Sequence, residues 1–315
     1  MEYRRLISFG KSSFVISLPK TWIVRNKLKK GSLLYINESE SNLIISPKQE
    51  DADEETVAVI NVDGKDYPRI TREVNAAYIL NNRKIKFEGK ELEEKSEKIL
   101  ESVRQLIALE VMELDSTKIV TKDFLDMNKT STIELIRKMD IIIRNMIHDC
   151  QKCFETKTSD NIELRDKDVN RLSFLIYRTI RNGFHNQSMM LKQHNMRAID
   201  LLNQYLLTFH LENIADEAKR ISRAITKIDL TAAQQKKFLS LLSNIEEVYL
   251  QNVKAFYSKS PELGLEYSSQ KNTLIEKTNA FYDSCQKNDH TSYLIDRFRR
   301  LVGSVHEMGR LSYQY

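Results

Sequence analysis

RRLISFGKSSFVISLPKTWIVRNKLKKGSLLYINESESNLIISPK, Arg4 to Lys48, is the stretch from which the rest of the chain is read. LISF and SFVISL are short apolar-rich runs parted by Gly10 and Lys11, the pattern of two strands around a turn. Ser17-Leu18-Pro19 ends the second run. A proline suits the first turn of a helix, because the N–H it lacks has no partner there anyway. KTWIVRNKL then sets Trp22, Ile23 and Leu28 on one apolar side, and Lys30-Gly31 breaks the helix. SLLYI and NLIISP are two further apolar runs joined by the polar NESES, a hairpin signal. So small a unit rarely buries enough apolar surface alone, and pairing with a second copy is the usual remedy.

The head is also where the charge lies. The 315-residue chain has a net charge of +5, yet residues 1–49 alone carry nine Lys/Arg against three Asp/Glu. A local basic excess suits a polyanion such as nucleic acid, and equally a solubilising surface. Three cysteines, Cys150, Cys153 and Cys285, are an odd count without framework spacing, which argues against an oxidised secreted scaffold. The start, MEYRRLISFG, has no apolar signal core, and no run of about 18 apolar residues occurs. A soluble, cytoplasmic protein with no membrane span is expected.

GKSSFVISLPKTWIVRNKLKKGSLLYI, Gly10 to Ile36, with the hairpin after it, resembles the SpoVT/AbrB swapped-hairpin domain over residues 3–48. The resemblance implies a DNA-binding and dimerisation domain over residues 1–50. In it two chains interleave their hairpins into one barrel, and basic residues near the first strand grip DNA. Arg4, Arg5 and Lys11 match that strand and its turn. Lys20 and Arg25 lie on the helix segment, where the spacing matches more loosely.

QEDADEE, Gln49 to Glu55, is an acidic linker. From 51 to 128 the patterning predicts a small α/β connector of order β-α-β-α-β-β. Its strands are TVAVINV, RKIKFEG and two short ones around Asp115-Ser116; its helices open at Pro68 and run over KELEEKSEKILESVRQLIALE. It has no Gly-rich phosphate loop and no nucleophile elbow, so a structural role between head and tail is expected.

Residues 129–315 read as helix almost throughout, with no proline between Arg69 and Ser260. One apolar stripe runs Ile133, Ile136, Met139, Ile143, Met146, Ile147; KTSDNIELRD is a polar break; two more helices follow. After Asp229-Leu230-Thr231 the order repeats, giving two sets of three helices at about 129–228 and 231–315. Amphipathic helices with short loops bury their stripes as a bundle.

Two strings in this tail, RDKDVNRL (Arg165–Leu172) and LENIADEAKRI (Leu211–Ile221), resemble the PhoU family of phosphate-uptake regulators, itself a tandem pair of three-helix bundles. The first looks like that family's D-K-x-V-N run, the second like its E-R-I-G-D motif. Glu212 and Asp216 are spaced i, i+4, so both carboxylates lie on one helix face. Their repulsion is relieved by a bound cation, and oxygen ligands suit a divalent or ferric ion. The resemblance implies a metal there, with Asp166 of the first string as a further ligand. The other reading is a helix face with ion pairs to Lys219 and Arg220. In the second repeat HEMGR puts His306 and Arg310 at the two acidic positions, and an arginine cannot ligate a metal. His306 and Arg310 are candidates to hold phosphate or a carboxylate of the first repeat.

Cys150-Gln-Lys-Cys153 lies in helical pattern without the partners that a redox or zinc site needs, so buried core cysteines are expected. RFRRL, Arg297 to Leu301, reads as a solvated basic face. Together the two resemblances imply an archaeal-type transcriptional regulator, with the head as DNA-binding output and the tail as sensor of phosphate status. The rival is a non-enzymatic adaptor, in which the tail docks on a phosphate transporter or sensor kinase and the head only dimerises. A metal-dependent phosphate-ester hydrolase needs a full second ligand set, which HEMGR lacks, and no enzyme is expected.

Overall fold

The structure, a computed structural model, describes residues 3–39, 42–47, 56–185 and 196–313. The acidic linker, the tip of the NESES turn and His194 lie outside the described residues. The chain divides into two compact units, Met1–Glu54 and Glu55–Tyr315.

The first unit holds two antiparallel hairpins around a short helix. Strands β1 (Ile7–Phe9) and β2 (Ser13–Val15) pair with Ile7 opposite Val15, and β3 (Tyr35–Ser39) and β4 (Asn42–Ser46) with Tyr35 opposite Ser46. Gly10, in the β1–β2 turn, has φ +68°, a conformation that costs glycine nothing. Helix α1 (Lys20–Arg25) starts after Pro19 as expected. It ends before Lys30-Gly31, because Asn26 Nδ2 donates to the Trp22 carbonyl at 2.9 Å and Lys27 turns left-handed.

The second unit opens with the α/β module: β5 (Val57–Asn61), α2 (Tyr67–Ile79), β6 (Lys84–Glu88), α3 (Leu92–Arg104), β7 (Leu109–Leu114) and β8 (Lys118–Asp123). The sheet order is β5-β6-β8-β7, parallel between β5 and β6 and antiparallel elsewhere. Asp66 caps α2 by accepting from the Arg69 N–H at 2.8 Å. Helix α3 is shorter than its pattern: it stops at Arg104, and Ala108 at φ +61° turns the chain into β7. Leu106 is buried beyond the helix, so the apolar signal there belongs to the turn.

The remaining described residues are mainly helical: α4 (Thr132–Asp149), the short α5 (Cys153–Thr156), α6 (Asp160–His185), α7 (Ala198–Ile225), α8 (Ala232–Ser258), α9 (Pro261–Ser268), α10 (Lys271–Asp283) and α11 (Asp289–Arg310). One apolar core runs through both sets, with α7 packed against α4, α6 and α11. The expected stripe of α4 is buried from Ile136 to Ile147. Two boundaries differ from expectation. The polar break KTSDNIELRD is mostly helix, so Asp166 sits inside α6 rather than at its start. The middle helix of the second set is divided at Ser269-Gln270. There His306 Nδ1, on α11, donates to the Ser268 carbonyl at 2.9 Å and satisfies the end of α9.

Candidate functional site

In the head, Arg4, Arg5, Lys11, Lys20 and Arg25 are all exposed. Arg4 and Arg5 precede β1, Lys11 is in its turn, and Lys20 and Arg25 are the first and last residues of α1. The apolar side chains are exposed as well. Phe9 and Phe14, at 70% and 66%, stand in water, and no described residue of this unit is buried.

In the bundle, α6 and α7 bring Asp166 and Asp216 together around Lys219, with Glu212 near enough to feel both charges. Lys219 Nζ donates to Asp166 Oδ2 at 2.7 Å and to Asp216 Oδ1 at 2.8 Å. Arg220 reaches the other oxygen of Asp216 at 3.1 Å. Burial pulls the Lys219 ammonium down, but hydrogen bonds to the two aspartates outweigh it and the net shift is upward. Glu212 accepts from the Tyr177 hydroxyl at 2.9 Å. Burial pushes the Glu212 carboxyl up; the Tyr177 hydrogen bond opposes this, and the charges of Asp216 and Asp166 add to it.

A divalent ion needs several carboxylate oxygens turned to one open point. Lys219 occupies that point between the aspartates. Among the described residues no group of three or more His, Cys, Asp or Glu side chains is arranged to hold a metal. As arranged, the set does not fit a metal, because the lysine already neutralises the repulsion that a cation would relieve.

His306 and Arg310 are both engaged. Arg310 donates to Glu307 at 2.9 Å, so its carboxylate partner is on its own helix and not in the first repeat. Cys150 and Cys153 are buried free thiols, Cys150 donating to the Ala218 carbonyl at 3.3 Å. Burial pushes the Cys153 thiol to about 11 and the Cys150 thiol well above the ordinary range, the reverse of what a reactive or metal-binding thiolate needs.

The RFRRL reading needs correction at Arg297. That side chain is 13% exposed, stacks over the Tyr293 ring at 4.8 Å and donates to Glu217 at 3.4 Å. Glu217 also accepts from Arg220 at 2.7 Å, so a buried carboxylate of α7 clamps the first repeat to α11 of the second. A second ion pair, Arg178 with Asp123, joins the bundle to the α/β module. Neither was read from the sequence. The signal for Arg178 is its spacing from Arg171 and Phe174, a second face on α6 that faces away from the bundle stripe.

Fold and cluster together define a tandem three-helix bundle with a carboxylate–lysine cluster in its first half. Residues 136–225, from α4 to the end of α7, match the family model of the PhoU domain. The matched segment contains Asp166, Glu212 and Asp216, and it ties this part of the chain to regulation of phosphate homeostasis. Neither the curated proteins nor the solved structures include a match to the chain. No helix among the described residues is long and apolar enough to cross a membrane.

Proposed function

We propose that the chain is a DNA-binding transcriptional regulator of phosphate homeostasis, in which the head is the output and the bundle the sensor. The observation that carries this reading is the head itself. Two hairpins around a short helix, five exposed cations and exposed apolar side chains among the described residues support the reading. Leaving Phe9, Phe14, Leu33 and Ile36 in water forfeits roughly 1.5–3 kcal/mol each. A second copy, interleaving its hairpins, recovers that and doubles the set of cations facing DNA. A metal enters this reading only in competition with Lys219, whose ammonium must leave first. A phosphate at His306 and Arg310 must likewise displace Glu307.

The test is a gel shift of the full chain with promoter DNA of phosphate genes. Wild type is expected to bind duplex DNA with a log–log salt slope of about −0.9 per phosphate neutralised. The triple variant Arg4→Ala, Arg5→Ala, Lys11→Ala is expected to lose both affinity and part of the slope. Phe14→Asp is expected to give monomers in sedimentation and no shift. Unchanged affinity in the triple variant sinks the DNA reading.

A second reading is favoured by one feature of α7. Ile199, Leu202, Tyr205 and Phe209 form an exposed apolar stripe on one side of that helix. This suits an adaptor docking on a phosphate transporter or sensor kinase, with the head used only to dimerise. An adaptor gives dimers and no salt-sensitive shift.

A further inference from the structure

A cleft of about 450 Å³ lies where α2 and α3 of the module meet α6 of the bundle. Each helix turns one face to it: Tyr67, Thr71 and Asn75 from α2, Lys98 and Ser102 from α3, Lys167, Arg171 and Phe174 from α6. Thr71 and Ser102 share a hydrogen bond of 2.9 Å that fixes α2 to α3 across the cleft.

The lining carries three cations, two aromatic rings and one carboxylate, Glu101. Lys98 is matched by Glu101 at 3.1 Å, but Lys167 makes no ion pair among the described residues. Arg171 reaches Asp168 only at 3.7 Å, and its Nε is shut away from solvent with no hydrogen-bond partner. The Arg171 side chain as a whole is 40% exposed. Lys167 and Arg171 are one helical turn apart, the spacing of a clamp for a polyanionic group. Tyr67 and Phe174 supply flat apolar walls. The volume is that of a small-molecule site and leaves most of its space unfilled by a lone phosphate ion.

We propose that this cleft binds a nucleotide, its phosphates on Lys167 and Arg171 and its base against Tyr67 and Phe174. The ligand would touch the module and the bundle at once. It would also reach the carboxylate cluster, because Asn170 lines the cleft and its Nδ2 donates to Asp166 Oδ2 at 3.3 Å. Asp166 in turn holds Lys219. The inference does not depend on the DNA reading.

Isothermal titration of the full-length chain tests it, with ADP and UDP as probes and adenosine and inorganic phosphate as part-ligands. Saturable one-to-one binding of ADP or UDP is expected, with each part-ligand at least about tenfold weaker. Lys167→Glu and Arg171→Gln are each expected to weaken binding about tenfold or more, the size of a lost charge-assisted hydrogen bond. Lys167 is exposed, so its variant folds, and Lys236→Glu on α8 serves as a control that leaves binding unchanged. The proposal is overturned if neither nucleotide binds. It is overturned equally if the two cleft variants bind as wild type does, or if phosphate alone binds as tightly as the nucleotides.

Discussion

Arg178 on α6 and Asp123 at the end of β8 form an ion pair of 2.7 Å in which both side chains are fully shut from solvent. The guanidinium also stacks over the Tyr78 ring at 4.5 Å and donates from Nε to Asn81 at 3.0 Å. One buried arginine therefore ties the end of α2, the sheet and the bundle into the single unit seen from residue 55 onward. Two charges taken from water survive only when each has its partner.

That dependence is unequal for the two residues. Asp123 also accepts from Arg83 at 2.5 Å, so Arg178→Met leaves the carboxylate paired. Asp123→Asn leaves Arg178 buried against a neutral amide. Asp123→Asn is expected to cost about 3–5 kcal/mol and Arg178→Met about 1–3 kcal/mol. Urea unfolding checks this, and an equal cost for the two means that Arg83 does not share the load.

Two glutamates of the first repeat respond to acid in opposite directions. The Arg223 hydrogen bond, helped by Ser159, pulls the Glu163 carboxyl down to about 2. Its folded-state value lies below the unfolded one, so its contribution is present above the ordinary Glu range and lost as pH falls toward 2. Glu212 is raised, chiefly by burial, so the folded state holds its proton more tightly and stability falls as pH rises out of the ordinary Glu range. Glu163→Gln is expected to lower the Tm at pH 7 and to match wild type near pH 2. Glu212→Gln is expected to raise the Tm at pH 7 and to lose that gain below the ordinary Glu range. Melting curves across pH separate the two.

Gly309, the glycine of HEMGR, is held by close packing. A Cβ there would lie 2.6 Å from Asn252 Oδ1, and Asn252 is fully buried with its Nδ2 donating to the Val305 carbonyl at 2.9 Å. Gly309→Ala is expected to destabilise the fold by about 1–3 kcal/mol through forced repacking. Chemical denaturation reads it, and a neutral result means that Asn252 can turn aside without cost.

The order of elements was legible because each carries its own period: alternation in β6 and β8, a 3.6-residue stripe in α4 and α6. Boundaries were legible only where chemistry marks them, as at Pro68 and Pro19. The polar residues before Asp166 read as a break because they are charged. They are helical because Ile162, Asp166 and Val169 keep one buried face. The carboxylate cluster was half legible: the i, i+4 spacing put Glu212 and Asp216 on one face, but that Lys219 would stand between Asp216 and Asp166 depends on how α6 crosses α7. The Arg178–Asp123 pair joins residues 55 positions apart, and no local pattern encodes such a contact.

Lys219 decides whether the cluster can take a metal. Its ammonium lies within hydrogen-bond distance of Asp166 and Asp216, and Arg220 holds a further oxygen. A divalent ion entering wild type must displace a bound cation and leave that lysine, 16% exposed, without its partners. Lys219→Gln removes the charge and keeps a side chain of similar length that can supply an oxygen ligand. Asp166, Glu212 and Asp216 would then repel one another with only Arg220 to offset it, and a cation restores the lost balance. The variant is therefore expected to bind Mn²⁺ in a titration at least about tenfold more tightly than wild type and to gain thermal stability when Mn²⁺ is added. Metal content of the purified proteins gives a second readout, rising in Lys219→Gln over wild type. Equal and tight Mn²⁺ binding by both proteins would mean that the lysine swings out of the cluster and does not stand in for the ion.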